Sequence, residues 1–156
     1  MSSELSKPRG MYFGEFHSGQ RISTTGRTIT EADIVNFAGL SGDFNQMHVD
    51  AAYSQASFFG QRVAHGLLVL SVITGLMVQT GVLEGTVLAF REINNWKFAK
   101  PIFIGDTVRA VLEVKDTKYM RRIGGGAILI DVDVMNQHDD TVMKGTLTVL
   151  VAERPD

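Results

Sequence analysis

Cysteine is absent from the 156-residue chain, and proline (three residues) and tryptophan (one residue) are scarce. Without cysteine there is no disulfide, no zinc–thiolate site and no thiol nucleophile, and an intracellular, cytoplasmic protein is favoured. Net charge is also small, because 15 Lys and Arg face 17 Asp and Glu, for a formal charge of −2. The positive field that general binding to nucleic acid or acidic membranes requires is therefore lacking, and neither is expected as a partner.

Long apolar runs are missing as well. The N-terminus contains no apolar stretch of the length found in signal peptides. The most apolar segment, 63–78, contains a histidine, a serine and a threonine and is too short to span a bilayer. The composition, 44% hydrophobic and 21% charged, is instead typical of a globular protein with a real core. The length favours one domain; we expect a flexible leader over 1–10 and a single domain over 11–156.

The hydrophobic pattern changes near the middle of the chain, from helical periodicity before residue 80 to strand-like alternation after residue 85. In the first half we predict a Thr-rich strand over 20–29 and a helix over 31–40. The helix begins either at Thr28, which has capping-box spacing to Glu31, or at the competing cap Thr30. Its buried face is predicted to comprise Ile34, Val35, Phe37 and Ala38.

A predicted loop over 41–50 and a short helical turn lead to the apolar segment 63–78, which we expect to form a helix buried on nearly every side. The second half contains four or five alternating strands, the first over 86–98 and the last over 142–151. An antiparallel sheet with one apolar face must be covered by another element. We therefore predict an α+β fold in which a curved antiparallel sheet wraps around one long central helix.

Several common catalytic signatures do not occur. There is no phosphate-binding GxxxxGK[ST] loop and no GxSxG nucleophile motif, and a strand rather than a helix follows Gly124–Gly126, which excludes a dinucleotide fingerprint. The four histidines lack the close spacing of metal ligands; they are His17, His48, His65 and His138. We expect neither a metal site nor a cofactor.

One loop, Asp43-x-Asn45-x-x-His48, combines an acid, an amide and an imidazole within six residues. Ordinary pKa values are about 3.9 for Asp and about 6.5 for His, so near neutral pH a carboxylate can act as a base while an imidazole exchanges protons readily. Such a pair suits general acid–base chemistry on one small reacting fragment. The alternative is ordinary turn chemistry, in which Asp43 and Asn45 accept hydrogen bonds from their own main chain.

A second feature, Ala64-His65-Gly66, stands at the entrance to the apolar helix. The start of a helix carries unpaired N–H groups and a partial positive charge. Glycine there allows a ligand oxygen to approach the main chain closely, which suits a developing oxyanion such as a thioester enolate. The alternative is an ordinary helix start with a satisfied core histidine.

These motifs together resemble the MaoC-like hydratases, which include the R-specific enoyl-CoA hydratases. The resemblance covers about residues 13–152. The matching residues of the first block are Phe37, Ser41-Gly42-Asp43, Asn45, His48 and Ala64-His65-Gly66-Leu67. The second block is Lys97-Phe98-x-Lys100-Pro101-x-x-x-Gly105-Asp106-Thr107. One departure is Gln46, where the family usually has proline.

The resemblance implies the hot-dog fold and assigns roles to individual residues. Asp43 and His48 become the catalytic pair, and the Gly66 N–H becomes an oxyanion-hole donor. Ser41, Gly42 and Asn45 support the loop between them. The pocket residues are expected to be Phe44, Met47, His65, Leu67 and Thr74, with Val69 and Val72 as further candidates for the wall of the acyl slot.

The activity implied is reversible hydration of trans-2-enoyl-CoA to (R)-3-hydroxyacyl-CoA, with coenzyme A as part of the substrate and no separate cofactor. Candidate cations for the coenzyme A phosphates are Lys97, Lys100, Arg121 and Arg122. Hot-dog domains commonly pair through sheet edges, so a homodimer or a higher even oligomer is expected. Two alternatives remain, a hot-dog acyl-CoA thioesterase and a non-catalytic acyl-CoA-binding module.

Overall fold

The computed structural model describes residues 10–156 and confirms the α+β class. One antiparallel sheet of six strands is combined with four α-helices and two short 3-10 helices in this part of the chain. The strands are β1 (Arg21–Ser23), β2 (Arg27–Thr28), β3 (Val87–Phe98), β4 (Thr107–Met120), β5 (Gly125–Met135) and β6 (Thr141–Ala152). The helices are α1 (Glu31–Ser41), α2 (Gln46–Val49), α3 (Ala51–Gln55) and α4 (Gly66–Gln79).

The core lies between α4 and the sheet. The strand order is β1-β4-β5-β6-β3, and β2 pairs with β4 outside this path. Alternate residues over 107–114 of β4 and 128–135 of β5 are buried, as expected for strands with one apolar face. Buried side chains of α4, including Val69 and Ile73, join those of β4, β5 and β6 in one cluster. The predicted arrangement of a sheet around one long apolar helix is therefore confirmed.

The outer edge of the sheet is β3, which pairs only with β6 among the described strands. Every residue of β3 except Trp96 is exposed in the single chain, and several of these are large and apolar. The pairing with β6 is interrupted by three register shifts, and Asn95 has a left-handed φ of 53°. The strand is thus an irregular, apolar and unpaired edge.

The predicted leader falls mostly on residues 1–9, which lie outside the described part of the chain. Gly10, the last residue of that leader, is buried, and its N–H donates to the Glu84 carbonyl over 2.9 Å. A Cβ at residue 10 would lie 2.2 Å from the same oxygen, so only glycine fits there.

The N-terminus of α1 is fixed by Thr30 and not by Thr28. The Thr30 hydroxyl accepts from the Asp33 N–H over 3.2 Å, and the Asp33 carboxylate accepts from the Thr30 N–H over 2.8 Å. Thr28 instead lies in β2, where its hydroxyl is hydrogen-bonded to Thr107. Arg27 forms two hydrogen bonds to the Asp33 carboxylate, of 2.8 and 3.1 Å. The competing cap is therefore the one the chain uses.

We expect Asp33→Asn to destabilise the protein at neutral pH and to lose this effect in acid. The hydrogen bonds from Arg27 hold the pKa of the Asp33 carboxyl below its usual value of 3.8. A depressed carboxyl pKa stabilises the fold above the unfolded-state pKa, and the contribution disappears as the pH falls through the native-state pKa. Urea unfolding of wild type and variant between pH 7 and pH 3 measures the difference. A difference that is constant over this range, or one matched by Asp116→Asn, would contradict the expectation.

Three predicted details of the elements are wrong. The strand over 20–29 is split because the Thr24 hydroxyl accepts the Ala110 N–H and interrupts the ladder. Val35 is 49% exposed, because it lies about 100° around α1 from the buried Ile34. Helix α4 is not buried all round, since Leu67 and Val78 are 62% and 57% exposed.

Candidate active site

The loop between α1 and α2 is held by its own side chains. Helix α1 ends at Gly42, whose φ of 78° lies in the left-handed region that favours glycine. The Ser41 hydroxyl donates to the Phe37 carbonyl over 2.7 Å and accepts from the Asp43 N–H over 3.1 Å. The Asn45 side chain then caps α2 by accepting from the Met47 N–H over 3.2 Å.

Helix α2 is a single turn inside the segment that was predicted to be loop, and it carries His48. This turn brings the His48 Nε2 to 3.8 Å from the Asp43 Oδ2. The other carboxylate oxygen of Asp43, Oδ1, accepts from the Asn45 N–H over 3.2 Å. Turn chemistry and a facing acid–imidazole pair, which the sequence presented as alternatives, are therefore both present, one on each carboxylate oxygen.

The two members of the pair have different surroundings. The Asp43 side chain is 52% exposed, whereas that of His48 is only 8% exposed. The His48 Nδ1 lies 2.7 Å from the Val63 carbonyl. Because a carbonyl only accepts, Nδ1 carries the hydrogen, and the free lone pair of the neutral ring is on Nε2, which faces Asp43.

Arg62 binds the main-chain carbonyl of His48, a contact that the sequence did not predict. Its Nε donates to the His48 carbonyl over 2.7 Å, and its guanidinium is paired with Glu31 at the start of α1. The Arg62 side chain is only 14% exposed. Arg62 lies 14 residues from His48, in a segment without regular structure, so nothing in the spacing pointed to it.

His48 and Gly66 line a cleft of about 520 Å³ with a mostly apolar wall. Among the described residues, no acceptor contacts the Gly66 N–H, as expected in the first turn of α4. The Phe98 ring packs directly on Gly66, and a Cβ built at residue 66 would lie 2.7 Å from it. The remaining lining residues are Met47, Phe58, Phe59, Val63, Ala64, Leu67, Phe98, Ala99, Lys100, Pro101, Ile102 and Met143.

We expect Gly66→Ala to reduce kcat/KM for the enoyl-CoA hydration that the family resemblance implies by about tenfold or more. The free energy of unfolding should fall by less than about 2 kcal/mol. The added methyl must displace the ring of Phe98. Because this ring is half-exposed and can swing outwards, the substitution should change the shape of the cleft more than the packing of the core. Steady-state kinetics and urea unfolding measure the two effects. Gly39→Ala in α1, where a Cβ has open space, is the matched control. An unchanged kcat/KM, or a loss of stability above about 2 kcal/mol, would indicate a purely structural glycine.

The predicted pocket residues are not all placed in the cleft. Met47 and Leu67 line it. Phe44 is 59% exposed and lies outside the cleft, and the Thr74 hydroxyl bonds to the Ser71 carbonyl two turns down α4. His65 is 97% buried behind the pair and not on the cleft wall, while Val69 is fully buried core and Val72 is partly buried beside it.

The four candidate cations do not form one cluster within a chain. Lys100 lines the cleft and pairs with Asp140 over 3.3 Å, and Lys97 is nearby on β3. Arg121 and Arg122 follow β4 at the opposite end of the sheet. Gly125 lies shortly after the two arginines and marks their position along the sheet. The residues of β6 that pair with Lys97 and with Gly125 are eight positions apart, which is roughly 26 Å at about 3.3 Å per residue. Within one chain the four candidates therefore form two separate groups, and Lys100 is the one that lines the cleft.

Asp43, His48 and His65 also form the one group of potential metal ligands found among the described residues, with ligand atoms within 4.8 Å of one another. The two imidazole rings are stacked, with centroids 3.7 Å apart and an angle of 25° between planes. A metal ion binds in the plane of an imidazole, along its lone pair. Because the two stacked rings lie in separate planes, an ion placed between them would lie outside both planes, which does not suit a metal shared by the two histidines.

The fold and the site together define a hot-dog protein with an acid–imidazole pair beside its central helix. The chain superposes on a conserved hypothetical protein of Mycobacterium tuberculosis that is described as having a double hotdog fold. The TM-score is 0.82 at 20% identity, with 94% of this chain and 46% of that chain covered. At this identity the likeness concerns the fold alone, and the coverage fits one of two hot-dog units.

Sequence comparison gives the family. Residues 15–136 match the model of the MaoC like domain, and the chain belongs to this family. It is 43% identical to Protein MaoC of Klebsiella aerogenes over 108 residues, which are 69% of this chain and only 32% of that longer protein. It is 38% identical to an (R)-specific enoyl-CoA hydratase of Rhodospirillum rubrum over 103 residues, covering 66% of this chain and 69% of that protein. Within residues 10–156, no helix has both the length and the apolar character needed to cross a membrane.

Proposed function

We propose that this protein catalyses the reversible hydration of a trans-2-enoyl-CoA thioester to an (R)-3-hydroxyacyl-CoA. The observation that carries the proposal is the 3.8 Å separation of the Asp43 Oδ2 and the His48 Nε2, beside an apolar cleft that also contains Gly66. Such a gap is too long for a direct hydrogen bond, but both atoms can bind one water molecule at about 2.8 Å. The R stereochemistry is taken from the related hydratase of R. rubrum.

The reaction requires one proton shared by the pair at the start. Because the His48 Nδ1 already donates to the Val63 carbonyl, His48 can donate from Nε2 only as the imidazolium, with Asp43 as the carboxylate. Asp43 takes a proton from water as the water oxygen bonds to C3, and the His48 Nε2–H protonates C2. The product then leaves a neutral His48 and a protonated Asp43, and return of the proton to His48 completes the cycle.

The negative charge that develops on the thioester oxygen is placed at the N-terminus of α4. There the Gly66 N–H, which has no acceptor among residues 10–156, and the partial positive charge of the helix favour an oxyanion. A donor of this kind typically contributes about 3 to 4 kcal/mol to transition-state stabilisation. The apolar wall of the cleft, including Phe98 and Leu67, suits an acyl chain and keeps bulk water from the reacting carbons.

Coenzyme A binding is assigned to the lysine side of the cleft. Lys100 lines the cleft and Lys97 precedes the lining residue Phe98, so their ammonium groups would attract the phosphates. Arg121 and Arg122 are too distant to act on the same phosphates within one chain.

We also propose a homodimer formed through the free edge of β3. Among residues 10–156 nothing pairs with the outer edge of this 12-residue strand, and with its exposed Phe90 and Ile93 it is a surface that a second copy can cover. Analytical ultracentrifugation should give about twice the chain mass of 17.1 kDa. Ile93→Lys should shift the protein towards monomer. A wild-type protein that sediments at the mass of one chain would refute the dimer.

The proposed function is tested with crotonyl-CoA. Loss of the enoyl absorbance with no release of free CoA, and an (R)-3-hydroxybutyryl product, is the expected result. Release of free CoA would instead identify a thioesterase, in which water attacks the carbonyl carbon. Tight binding of the thioester with no turnover would identify a non-catalytic acyl-CoA-binding module. Extending the assay to longer and branched enoyl chains gives the chain length that the cleft accepts.

A further inference from the structure

His65 contacts both members of the acid–imidazole pair without reaching the cleft. It is 3% exposed and precedes the first residue of α4. Its ring stacks on that of His48, with centroids 3.7 Å apart, and meets the Phe37 ring edge-on at 4.9 Å. Its Nε2 lies 2.9 Å from the main-chain carbonyl of Asp43, 22 residues away in the sequence. One ring therefore touches the main chain of the acid and the face of the imidazole.

The hydrogen bond to Asp43 determines the tautomer of this ring. A carbonyl oxygen only accepts, so the His65 Nε2 carries the hydrogen, and in the neutral ring Nδ1 is an acceptor. Nδ1 is buried and has no hydrogen-bond partner in the described part of the chain.

A side chain that only fills the core gains nothing from a polar ring whose second nitrogen is orphaned, because an unpaired buried nitrogen costs stability. The two contacts that this ring makes are instead the ones the pair needs. The Nε2–H fixes the main chain that carries the Asp43 carboxylate. The face of a neutral aromatic ring stabilises the positive charge that His48 carries at the start of hydration.

We propose that His65 is a positioning residue, an imidazole that donates from Nε2 to fix the Asp43 main chain and supports the His48 ring so that their reacting atoms keep their separation. Its kinetic consequence rests on the proposed hydratase function. Misplacing a reacting group by about 1 Å can cost about a hundredfold in rate. Since His65 is absent from the cleft wall, its loss should change kcat and leave substrate binding nearly unaltered.

Two substitutions separate its contacts. His65→Phe keeps an aromatic face against His48 and removes the N–H to Asp43, whereas His65→Gln offers an N–H and removes the ring. With crotonyl-CoA, each should lower kcat about tenfold or more while KM changes less than about twofold. His138→Gln, at an exposed turn far along the chain, is the matched control and should leave both constants unchanged. Retention of kcat within about twofold in both variants, or a rise in KM in place of the fall in kcat, would overturn the proposal.

Two further measurements do not depend on catalysis. Imidazole ¹⁵N NMR of the wild-type protein near pH 7 should show His65 as the Nε2–H tautomer and His48 with a hydrogen on Nδ1; a His65 Nδ1–H signal would refute the assignment. In His65→Phe, hydrogen exchange at the Asn45 and Met47 amides, which bond within the Asp43 loop, should accelerate about tenfold or more. Unchanged exchange would also refute it.

If the wild type fails to hydrate crotonyl-CoA, the proposed function falls, and these two measurements still decide the role of His65. If His65→Phe does not fold, the tautomer and the His65→Gln kinetics decide it.

Discussion

Asp43→Asn is expected to lower kcat for the hydration of crotonyl-CoA by at least about a hundredfold, with little change in KM. An amide has nearly the shape of a carboxylate, but it cannot take the proton of water as the oxygen bonds to C3. The hydrogen bond that Oδ1 accepts from the Asn45 N–H can be kept by the amide oxygen. The loop should therefore survive while the base is lost.

The matched control is Asp50→Asn. Asp50 caps α3 by accepting from the Tyr53 N–H, and asparagine is an equally good cap. Its variant should keep wild-type kinetics and stability. Full turnover in a folded Asp43→Asn protein would remove Asp43 from the mechanism, whereas equal loss in both variants would point to a general effect of charge.

Replacement of His48 should lower kcat by a similar factor. Two variants separate the contributions of its two ring nitrogens. Asparagine can place its amide N–H where Nδ1 donates to the Val63 carbonyl, but it has nothing at the position of Nε2. We expect His48→Asn to fold with nearly wild-type stability and to lose about a hundredfold or more in kcat, because the proton donor to C2 is gone. Steady-state kinetics with circular dichroism and urea unfolding measure the two effects.

His48→Ala is the companion variant, since it removes both nitrogens. It leaves the Val63 carbonyl without its donor in a buried position, so it should lose about 1 to 3 kcal/mol of stability in addition to activity. Equal kinetics in the two variants with unequal stability would assign catalysis to Nε2. Wild-type turnover in His48→Asn would exclude His48 as the proton donor.

Much of the fold follows from short-range pattern. The alternation along β4 and β5 and the apolar character of 63–78 are properties of neighbouring residues, and they predict the sheet and its helix directly. The errors arise where a distant group decides the outcome. The Thr24 hydroxyl, for example, breaks the predicted strand because the Ala110 N–H, 86 residues away, binds to it.

In the candidate site, too, contacts between neighbouring residues could be predicted and contacts from distant segments could not. The proximity of Asp43 and His48 could be anticipated because five positions of chain and a single helical turn connect them. The contacts around them could not, since Arg62 and Phe98 reach the site from other segments of the chain. The family resemblance implied that His65 is a pocket residue, and only the packing places it behind the pair and against His48.

The irregular shape of β3 has a consequence for self-association. A flat, regular edge repeats its N–H and C=O groups at even intervals and can recruit strand after strand. In β3 the three register shifts and the left-handed Asn95 break that repeat, so the outward polar groups match only a strand with complementary irregularities. A second copy of the chain, as in the proposed homodimer, carries the same irregularities, whereas a regular extended peptide does not. Exposed apolar side chains on this rim are thereby compatible with finite assembly instead of fibril growth.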